Sequence, residues 1–268
     1  MEHPILFKNG VYKTAQGRIS LLARLLTSAH FFAGLTRIVF RSSHRAKRNR
    51  YGNEGWATSS FDIFRELEKV GVEFEITGVE NFRYIKGPCV FIGNHMSSLE
   101  TFVLPCIIEP YKDTTFVVKK SLIDYPVFRH IMRSRDPIVV SRDDPREDLK
   151  TVFDEGTKIL STGRSIVIFP QKTRTPEFKP KEFNTIAVKL AKKADVPVVP
   201  IALKTDAWGN GCLLKDFGKI DPSKKVYFDF GKPMTIAVRG VEEHNAIIAF
   251  IEEHLRKWNS PAEAGNAG

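Results

Sequence analysis

His95 and Glu100 place an imidazole and a carboxylate five positions apart in the segment Asn-His-Met-Ser-Ser-Leu-Glu, which begins at Asn94. An imidazole, whose unperturbed pKa is about 6.5, can take a proton from a hydroxyl near neutral pH. A neighbouring carboxylate fixes the imidazole tautomer and stabilises its cation. The pair predicts general-base catalysis that needs no serine or cysteine nucleophile. By itself the spacing is also compatible with chance, with Glu100 serving only as an acid that favours a helix N-terminus.

The elements on either side of this pair must bring the two side chains together. The run Cys89–Gly93 is typical of a buried strand, and Ser97 or Ser98 can cap a helix that begins directly afterwards. Ligand sites of α/β sheets lie at the carboxyl ends of such strands. Within one helix, five steps would turn the two side chains about 140° apart. We therefore expect His95 to lie before the helix and Glu100 in its first turn.

Short apolar runs alternate with helical patterns over most of the chain, and several runs are apolar on both faces. This pattern predicts an α/β fold with a mixed, largely parallel central sheet flanked by helices. Asp144, Pro145 and Glu147 predict a helix start, and Gly163 predicts its end. Further helices are predicted over 61–70 and 241–258, and strands over 72–77, 89–93, 115–118, 138–141, 165–169, 196–203 and 226–230.

An N-terminal amphipathic helical region precedes the sheet. Its apolar stretch, Ile19–Phe40, contains Arg24 and Arg37, and each charge in hydrocarbon would cost roughly 2.5 to 3.5 kcal/mol, so a membrane-spanning helix is not expected. An apolar stripe followed by the basic cluster 41–50 suits an anionic membrane surface. The alternative is a core-packing helix followed by a solvated basic loop. The stripe consists of Leu21, Leu22, Leu25, Leu26, Ala29, Phe32, Leu35, Thr36, Val39 and Phe40.

The formal net charge of +10 predicts an anionic partner, which could be nucleic acid, anionic lipid or a phosphorylated small molecule. No nucleic-acid recognition motif accompanies the cations, so nucleic acid is not expected. The three cysteines show no CxxC spacing, which disfavours a disulfide framework or a cysteine-rich metal site and favours a reducing compartment. Residues 1–17 lack the features of a secretory signal, so the chain is expected to stay in the cytoplasm.

Four ordered sequence blocks resemble the glycerolipid acyltransferases of the 1-acyl-glycerol-3-phosphate acyltransferase type. The first is the segment 94–100, which resembles the family's Asn-His followed after four residues by an acid, with Glu100 where the family usually has Asp. The second consists of 118–122, 126–128 and 138–142, the third is Phe-Pro-Gln-Lys-Thr-Arg-Thr over 169–175, and the fourth is 198–203. An ordered set is much more specific than any single block, so it greatly reduces the weight of chance in the spacing of His95 and Glu100.

The resemblance implies transfer of a fatty acyl group from an acyl-CoA or acyl carrier protein thioester to the hydroxyl of a lysophospholipid, with lysophosphatidic acid as first choice. His95 would be the general base and Glu100 would orient it, with backbone amides near the third block or in the helix after His95 as candidate oxyanion donors. No metal or bound cofactor is implied. A guanidinium presents a planar fork to phosphate oxygens, which suits Arg142 and Arg174 to the acceptor's phosphate. The full set of expected substrate-binding residues is Asn94, Lys119, Arg142, Gln171, Lys172, Thr173 and Arg174.

Gln171 and Lys172 depart from the family's third block, where a glutamate and a glycine are usual. They leave open an acyltransferase for a different lipid acceptor, or an inactive relative that only binds lipid or adapts other proteins to a membrane. The expected organisation is an N-terminal membrane-docking region over 1–59, an acyltransferase domain over 60–259 and a disordered tail over 260–268. The expected location is the cytoplasmic face of a membrane, with peripheral or monotopic attachment.

Overall fold

The computed structural model describes residues 5–15, 17, 19–211 and 216–260. Its sheet has eight strands in the order β1-β2-β8-β7-β3-β6-β4-β5. Strands β7, β3, β6, β4 and β5 run parallel to one another, whereas β8 pairs antiparallel with β7. The bounds are β1 Tyr12–Lys13, β2 Phe74–Thr77, β3 Val90–Gly93, β4 Thr114–Lys119, β5 Ile138–Val140, β6 Ser165–Ile168, β7 Val198–Lys204 and β8 Val226–Phe230. The predicted fold class, a mixed and largely parallel sheet, is confirmed.

The central strands are apolar on both sides because helices cover both faces of the sheet. Every residue of β3 and of β6 is buried. Phe91 of β3 faces one layer of helices, while Val90 and Ile92 face the other. The helices are α1 Leu21–Leu25, α2 Thr27–Lys47, α3 Asn53–Lys69, α4 Glu80–Arg83, α5 Leu99–Ile108, α6 Lys120–Asp124, α7 Phe128–Arg133, α8 Pro145–Ser161, α9 Ile186–Ala194 and α10 Val241–Asn259.

Helix α8 shows how local sequence sets an element's ends. The Asp144 carboxylate accepts hydrogen bonds from the amides of Arg146 and Glu147, and Pro145 occupies the first turn. Gly163 follows the helix with a φ of +89°, a conformation that glycine adopts without strain. The predicted start and end of this helix are confirmed, as is the last helix, which ends one residue beyond the prediction.

The N-terminal helices pack into the same core as the sheet. Phe31 and Leu35 of α2 and Phe64 of α3 belong to one buried cluster with Phe91 of β3. The predicted domain boundary between residues 59 and 60 falls inside α3, so the division into 1–59 and 60–259 does not separate two packing units. The predicted tail lies outside the described residues except for Ser260, and Cys212 also lies outside them.

The predicted apolar stripe is only partly the face that α2 buries. Phe31 and Ile38, which the stripe did not include, are buried, whereas Leu21, Leu25, Leu26 and Phe40 are exposed. The alternative interpretation placed the basic cluster in a solvated loop, but α2 continues through it as far as Lys47. None of the described helices is long and apolar enough to cross a membrane. One face of α2 therefore packs on the core, and another exposes apolar and basic side chains to solvent.

Candidate active site

The site lies where β3 and β6 end side by side. Ile92 and Ile168 are partners in the parallel ladder, so the segments that follow both strands leave the sheet at its carboxyl edge. The first segment carries His95, and the second carries Phe169 to Thr175. Strand β7, on the other side of β3, ends at the same edge and is followed by Thr205. Three neighbouring strand ends thus bring together residues that are far apart in sequence.

The imidazole of His95 and the carboxylate of Glu100 are in direct contact. His95 Nδ1 lies 2.8 Å from Glu100 Oε1. His95 precedes α5, and Glu100 is the second residue of that helix. The expected placement of the two residues is therefore what the structure shows. A carboxylate at Nδ1 favours the tautomer that carries its proton on Nδ1, which leaves the lone pair on Nε2.

Glu100 is fully buried and is surrounded by hydrogen-bond donors. Its Oε1 accepts from the amides of Met96 at 2.7 Å and Ser97 at 3.0 Å, in addition to His95. Its Oε2 accepts from the Thr205 hydroxyl at 2.6 Å and the Ser97 hydroxyl at 3.1 Å. Burial by itself raises the pKa of Glu100, but the hydrogen bonds and the charge of His95 outweigh it, so the pKa is lowered overall. The site therefore stabilises a buried carboxylate in its ionised form.

His95 is fixed on three sides besides the carboxylate. Its ring stacks on Phe169 with centroids 4.5 Å apart and planes 8° apart. Its amide donates to Gln171 Oε1 at 2.7 Å, and its carbonyl accepts from the Thr175 amide at 3.0 Å. Among the described residues, Nε2 has no hydrogen-bond partner, and the side chain is 13% exposed. The imidazole is rigidly held and its second nitrogen is left to meet a substrate.

Asn94 and Gln171 form hydrogen bonds within the protein. The Asn94 side chain is buried, donates to the Leu203 carbonyl at 2.7 Å and accepts from the Leu203 amide at 2.9 Å. Gln171 is also buried; its Oε1 accepts from the His95 amide and its Nε2 donates to the Thr175 hydroxyl at 3.1 Å. Both residues therefore hold the site's backbone together, and their binding of substrate stays a prediction.

The predicted phosphate-binding cations lie along the same edge. The Arg174 guanidinium donates to the Ser98 hydroxyl and to the Asp216 carboxylate, and that of Arg142 donates to the Lys172 carbonyl. Lys119 ends β4 and, like Lys172 and Thr173, is exposed. These cations line the edge, but the structure contains no contact that assigns them a ligand.

Arg142 has an unusual backbone conformation. Its φ is 67°, in the left-handed region that costs a residue with a side chain roughly 1 to 2 kcal/mol. The Asp148 carboxylate stabilises this turn by accepting from the Ser141 amide at 2.8 Å and the Arg142 amide at 2.7 Å. Asp148, in the first turn of α8, thereby stabilises the backbone conformation that orients Arg142.

Sequence reasoning missed four residues that contribute to the site. Ser97 and Thr205 complete the surroundings of Glu100, Phe169 stacks on His95, and Asp216 pairs with Arg174. Thr205 directly follows β7, so the end of the predicted strand over 196–203 was a usable signal for it. Asp216 lies outside the four blocks and gave no such signal.

Comparison with known proteins assigns this fold and site to a class. A family model described as Acyltransferase matches residues 73–204, which include all four blocks. A 1-acyl-sn-glycerol-3-phosphate acyltransferase of Pseudomonas aeruginosa is 32% identical over 189 residues, covering 70% of this chain and 72% of that protein. The chain belongs to the acyltransferase family, and it is an enzyme of the O-acyltransferase class.

More distant relatives agree with this class. The chloroplastic 1-acyl-sn-glycerol-3-phosphate acyltransferase LPAT1 of Arabidopsis thaliana is 27% identical over 160 residues, which are 60% of this chain and 42% of that protein. The crystal structure of the 1-acyl-sn-glycerophosphate (LPA) acyltransferase PlsC from Thermotoga maritima superposes with a TM-score of 0.61 at 18% identity, over 88% of this chain and 96% of that chain. At that identity the likeness shows a common fold.

Proposed function

We propose that this protein transfers a fatty acyl group from a thioester, acyl-CoA or acyl carrier protein, to the hydroxyl of lysophosphatidic acid. The observation that carries the proposal is the contact of 2.8 Å between His95 Nδ1 and Glu100 Oε1, in which the carboxylate is buried and fully bonded. The names of the relatives support lysophosphatidic acid as acceptor. The intact pair favours an active enzyme over a relative that only binds lipid.

In the proposed mechanism His95 Nε2 removes the proton from the acceptor hydroxyl as its oxygen attacks the thioester carbonyl. The tetrahedral intermediate then expels the thiolate, which takes the proton from the imidazolium and leaves as a thiol. Glu100 stabilises the imidazolium between these two steps. The reaction is balanced without a covalent enzyme intermediate.

Backbone amides around His95 are mostly unavailable to the oxyanion of that intermediate. The amides of Met96 and Ser97 donate to Glu100, and the Leu99 amide donates to the Ser97 hydroxyl at 3.1 Å. These three groups therefore serve the dyad. The third-block segment after β6 is the candidate we favour for the oxyanion donors.

The acceptor's phosphate is proposed to bind at the cationic edge formed by Arg142 and Arg174, with Lys119 and Lys172 adding charge. Guanidinium groups bind phosphate oxygens in pairs, and lysine ammonium groups attract them as point charges. Arg142 and Lys172 are joined by a hydrogen bond, so both belong to one local surface. Gln171 contributes to this arrangement by holding the backbone of His95.

A membrane surface is proposed as the place of reaction. Leu21 and Leu25 are 72% and 73% exposed, and Phe40 is also exposed on α2. Arg24 is exposed next to Leu25, and Arg41, Arg45 and other cations are exposed between Phe40 and the C-terminal end of α2. Exposed apolar side chains beside cations suit the interface of an anionic bilayer. We propose peripheral or monotopic attachment at the cytoplasmic face.

Donor and acceptor profiling of the purified chain tests this function. We expect thiol release from acyl-CoA, or acyl transfer from acyl carrier protein, that depends on lysophosphatidic acid and persists with EDTA. His95→Ala should abolish turnover, whereas His130→Ala, which removes a half-buried histidine of α7, should not. Turnover of another lysolipid but not lysophosphatidic acid would refute the acceptor. Equal activity of wild type and His95→Ala would refute the general base.

A further inference from the structure

Arg174, one of the two arginines of the cationic edge, is already bound by an anion of the protein itself. Its guanidinium donates to Asp216 Oδ1 and to the Ser98 hydroxyl, and that hydroxyl donates to the same Asp216 oxygen at 2.8 Å. Ser98 directly precedes α5, two residues before Glu100. The carboxylate of Asp216 thus lies at the first turn of the helix that carries half of the catalytic pair.

The other cations of the edge have no such partner. Among the residues that the structure describes, Lys119, Arg142 and Lys172 form no ion pair with a carboxylate. A carboxylate at a guanidinium uses the same donors that a phosphate would use. Arg174 is therefore the position at this edge where the protein and a phosphate-bearing acceptor compete for one cation.

The main chain holds Asp216 at this place. Its carbonyl accepts a hydrogen bond of 3.1 Å from Nε1 of Trp208, a buried residue that stacks on Phe102 of α5. The next residue, Phe217, packs on Phe32 of α2 with ring centroids 5.3 Å apart. The side chain itself is 55% exposed, against 16% for Arg174. The backbone is fixed. The carboxylate is already largely hydrated while it is paired with Arg174, so it can leave Arg174 and turn into solvent at little cost.

We propose that Asp216 is a specificity-determining residue, an internal competitor that an anionic headgroup must displace from Arg174. This inference rests on the proposed function, because it concerns the acceptor's phosphate. A phosphate monoester carries a charge of about −1.5 to −2 at neutral pH and presents several terminal oxygens, so it can displace a carboxylate. A phosphodiester carries a single charge and gains less from a contact with Arg174. Because Asp216 weakens the contact from which the monoester gains most, it reduces the preference for monoester acceptors over lysophospholipids with a substituted phosphate.

Asp216→Asn tests the proposal by removing the competing charge. We expect KM for lysophosphatidic acid to fall about 2- to 5-fold, the range that a partly exposed ion pair gives. KM for lysophosphatidylglycerol should fall by a smaller factor, so the preference for the monoester increases. Asp154→Asn is the matched control, because Asp154 is a similarly exposed ion-paired aspartate of α8 and lies outside the proposed site. Asp216→Glu, which keeps the charge, should retain the wild-type preference.

Two further measurements separate this inference from the proposed function. The dissociation constant of inorganic phosphate, measured by calorimetry, should fall in Asp216→Asn whether or not lysophosphatidic acid is turned over. In an Arg174→Ala background the same substitution should have no effect.

Asp216→Ser provides a second neutral variant if the melting temperature of Asp216→Asn is low. Unchanged or weaker phosphate binding in both neutral variants refutes the inference, as does an effect that persists without Arg174. Absence of wild-type turnover on lysophosphatidic acid refutes the proposed function instead.

Discussion

Glu100→Gln separates the charge of the catalytic pair from its shape. Oε1 of Glu100 faces three donors, namely His95 Nδ1 and the amides of Met96 and Ser97. A glutamine must therefore place its carbonyl oxygen there, and its amide nitrogen next to the Thr205 and Ser97 hydroxyls. Hydroxyls can rotate to accept a hydrogen bond. The variant should keep the His95 tautomer and lose only the negative charge.

The size of the effect follows from the attraction between the carboxylate and the imidazolium. At about 4 Å between charge centres and an effective dielectric constant of about 20, this attraction is about 4 kcal/mol. If the imidazolium is fully formed in the transition state, its loss lowers kcat by about 10³-fold. Because the hydroxyls must rearrange and the Ser97 amide also lies 3.1 Å from Oε2, we expect stability to fall by about 1 to 2 kcal/mol.

The assay is the initial rate of thiol release from acyl-CoA, with urea unfolding to confirm that the variant is folded. Glu100→Asp keeps the charge and should retain more activity than Glu100→Gln. Glu54→Gln is the matched control, because Glu54 is an exposed acid in the first turn of α3. A folded Glu100→Gln variant with activity within tenfold of wild type would falsify the charge argument. Glu100 would then serve only to hold the backbone of residues 96 and 97.

Two other changes test the charge and surface assignments. Burial raises the pKa of Glu109 to about 7, only partly offset by Arg135 at 3.8 Å. Because its folded pKa exceeds the ordinary value of 4.5, the native state binds more protons, and stability falls as pH rises from about 4.5 to 7, by up to about 3 kcal/mol. Glu109→Gln should flatten this slope in urea unfolding at pH 5 and 8; an equal slope in both proteins contradicts the assignment. Replacing exposed Leu21 and Leu25 by Ser should weaken sedimentation with anionic vesicles several-fold while the melting temperature is unchanged, and unaltered sedimentation argues against docking through α1.

The parts of the molecule that were predicted correctly depend on neighbours in sequence. The contact between His95 and Glu100 requires only a strand end, a short turn and the first turn of a helix. Helix α8 is set by Asp144 and Pro145 at one end and Gly163 at the other. Alternation of apolar runs was sufficient for the strands because the sheet is covered on both faces. Local rules therefore located both the contact between His95 and Glu100 and the elements that carry it.

The contacts that the sequence did not predict arise where the partner is far away along the chain. Asn94 bonds to Leu203, 109 positions later, and Gln171 bonds to His95, 76 positions earlier. The motif predicted ligand contacts for these polar residues but not these hydrogen bonds, because nothing in the sequence shows which backbone group lies opposite them. For α2 the difficulty was different: apolar side chains lie on more than one face, and only tertiary packing, such as that of Trp208 on Phe31, selects Phe31 and Ile38 for burial. Periodicity indicates a helix without deciding which face is inside.

Gln171 shows why a departure from a family pattern need not mean a lost function. The Thr175 hydroxyl donates to the Glu177 carbonyl at 2.7 Å and accepts from Gln171 Nε2. A glutamate at this position could accept from the His95 amide but could not donate to a hydroxyl whose proton is already used. A second carboxylate beside His95 would also have to be desolvated near the buried Glu100. The amide makes both hydrogen bonds without a charge, so Gln171 fits an intact catalytic pair and is not evidence of an inactive site.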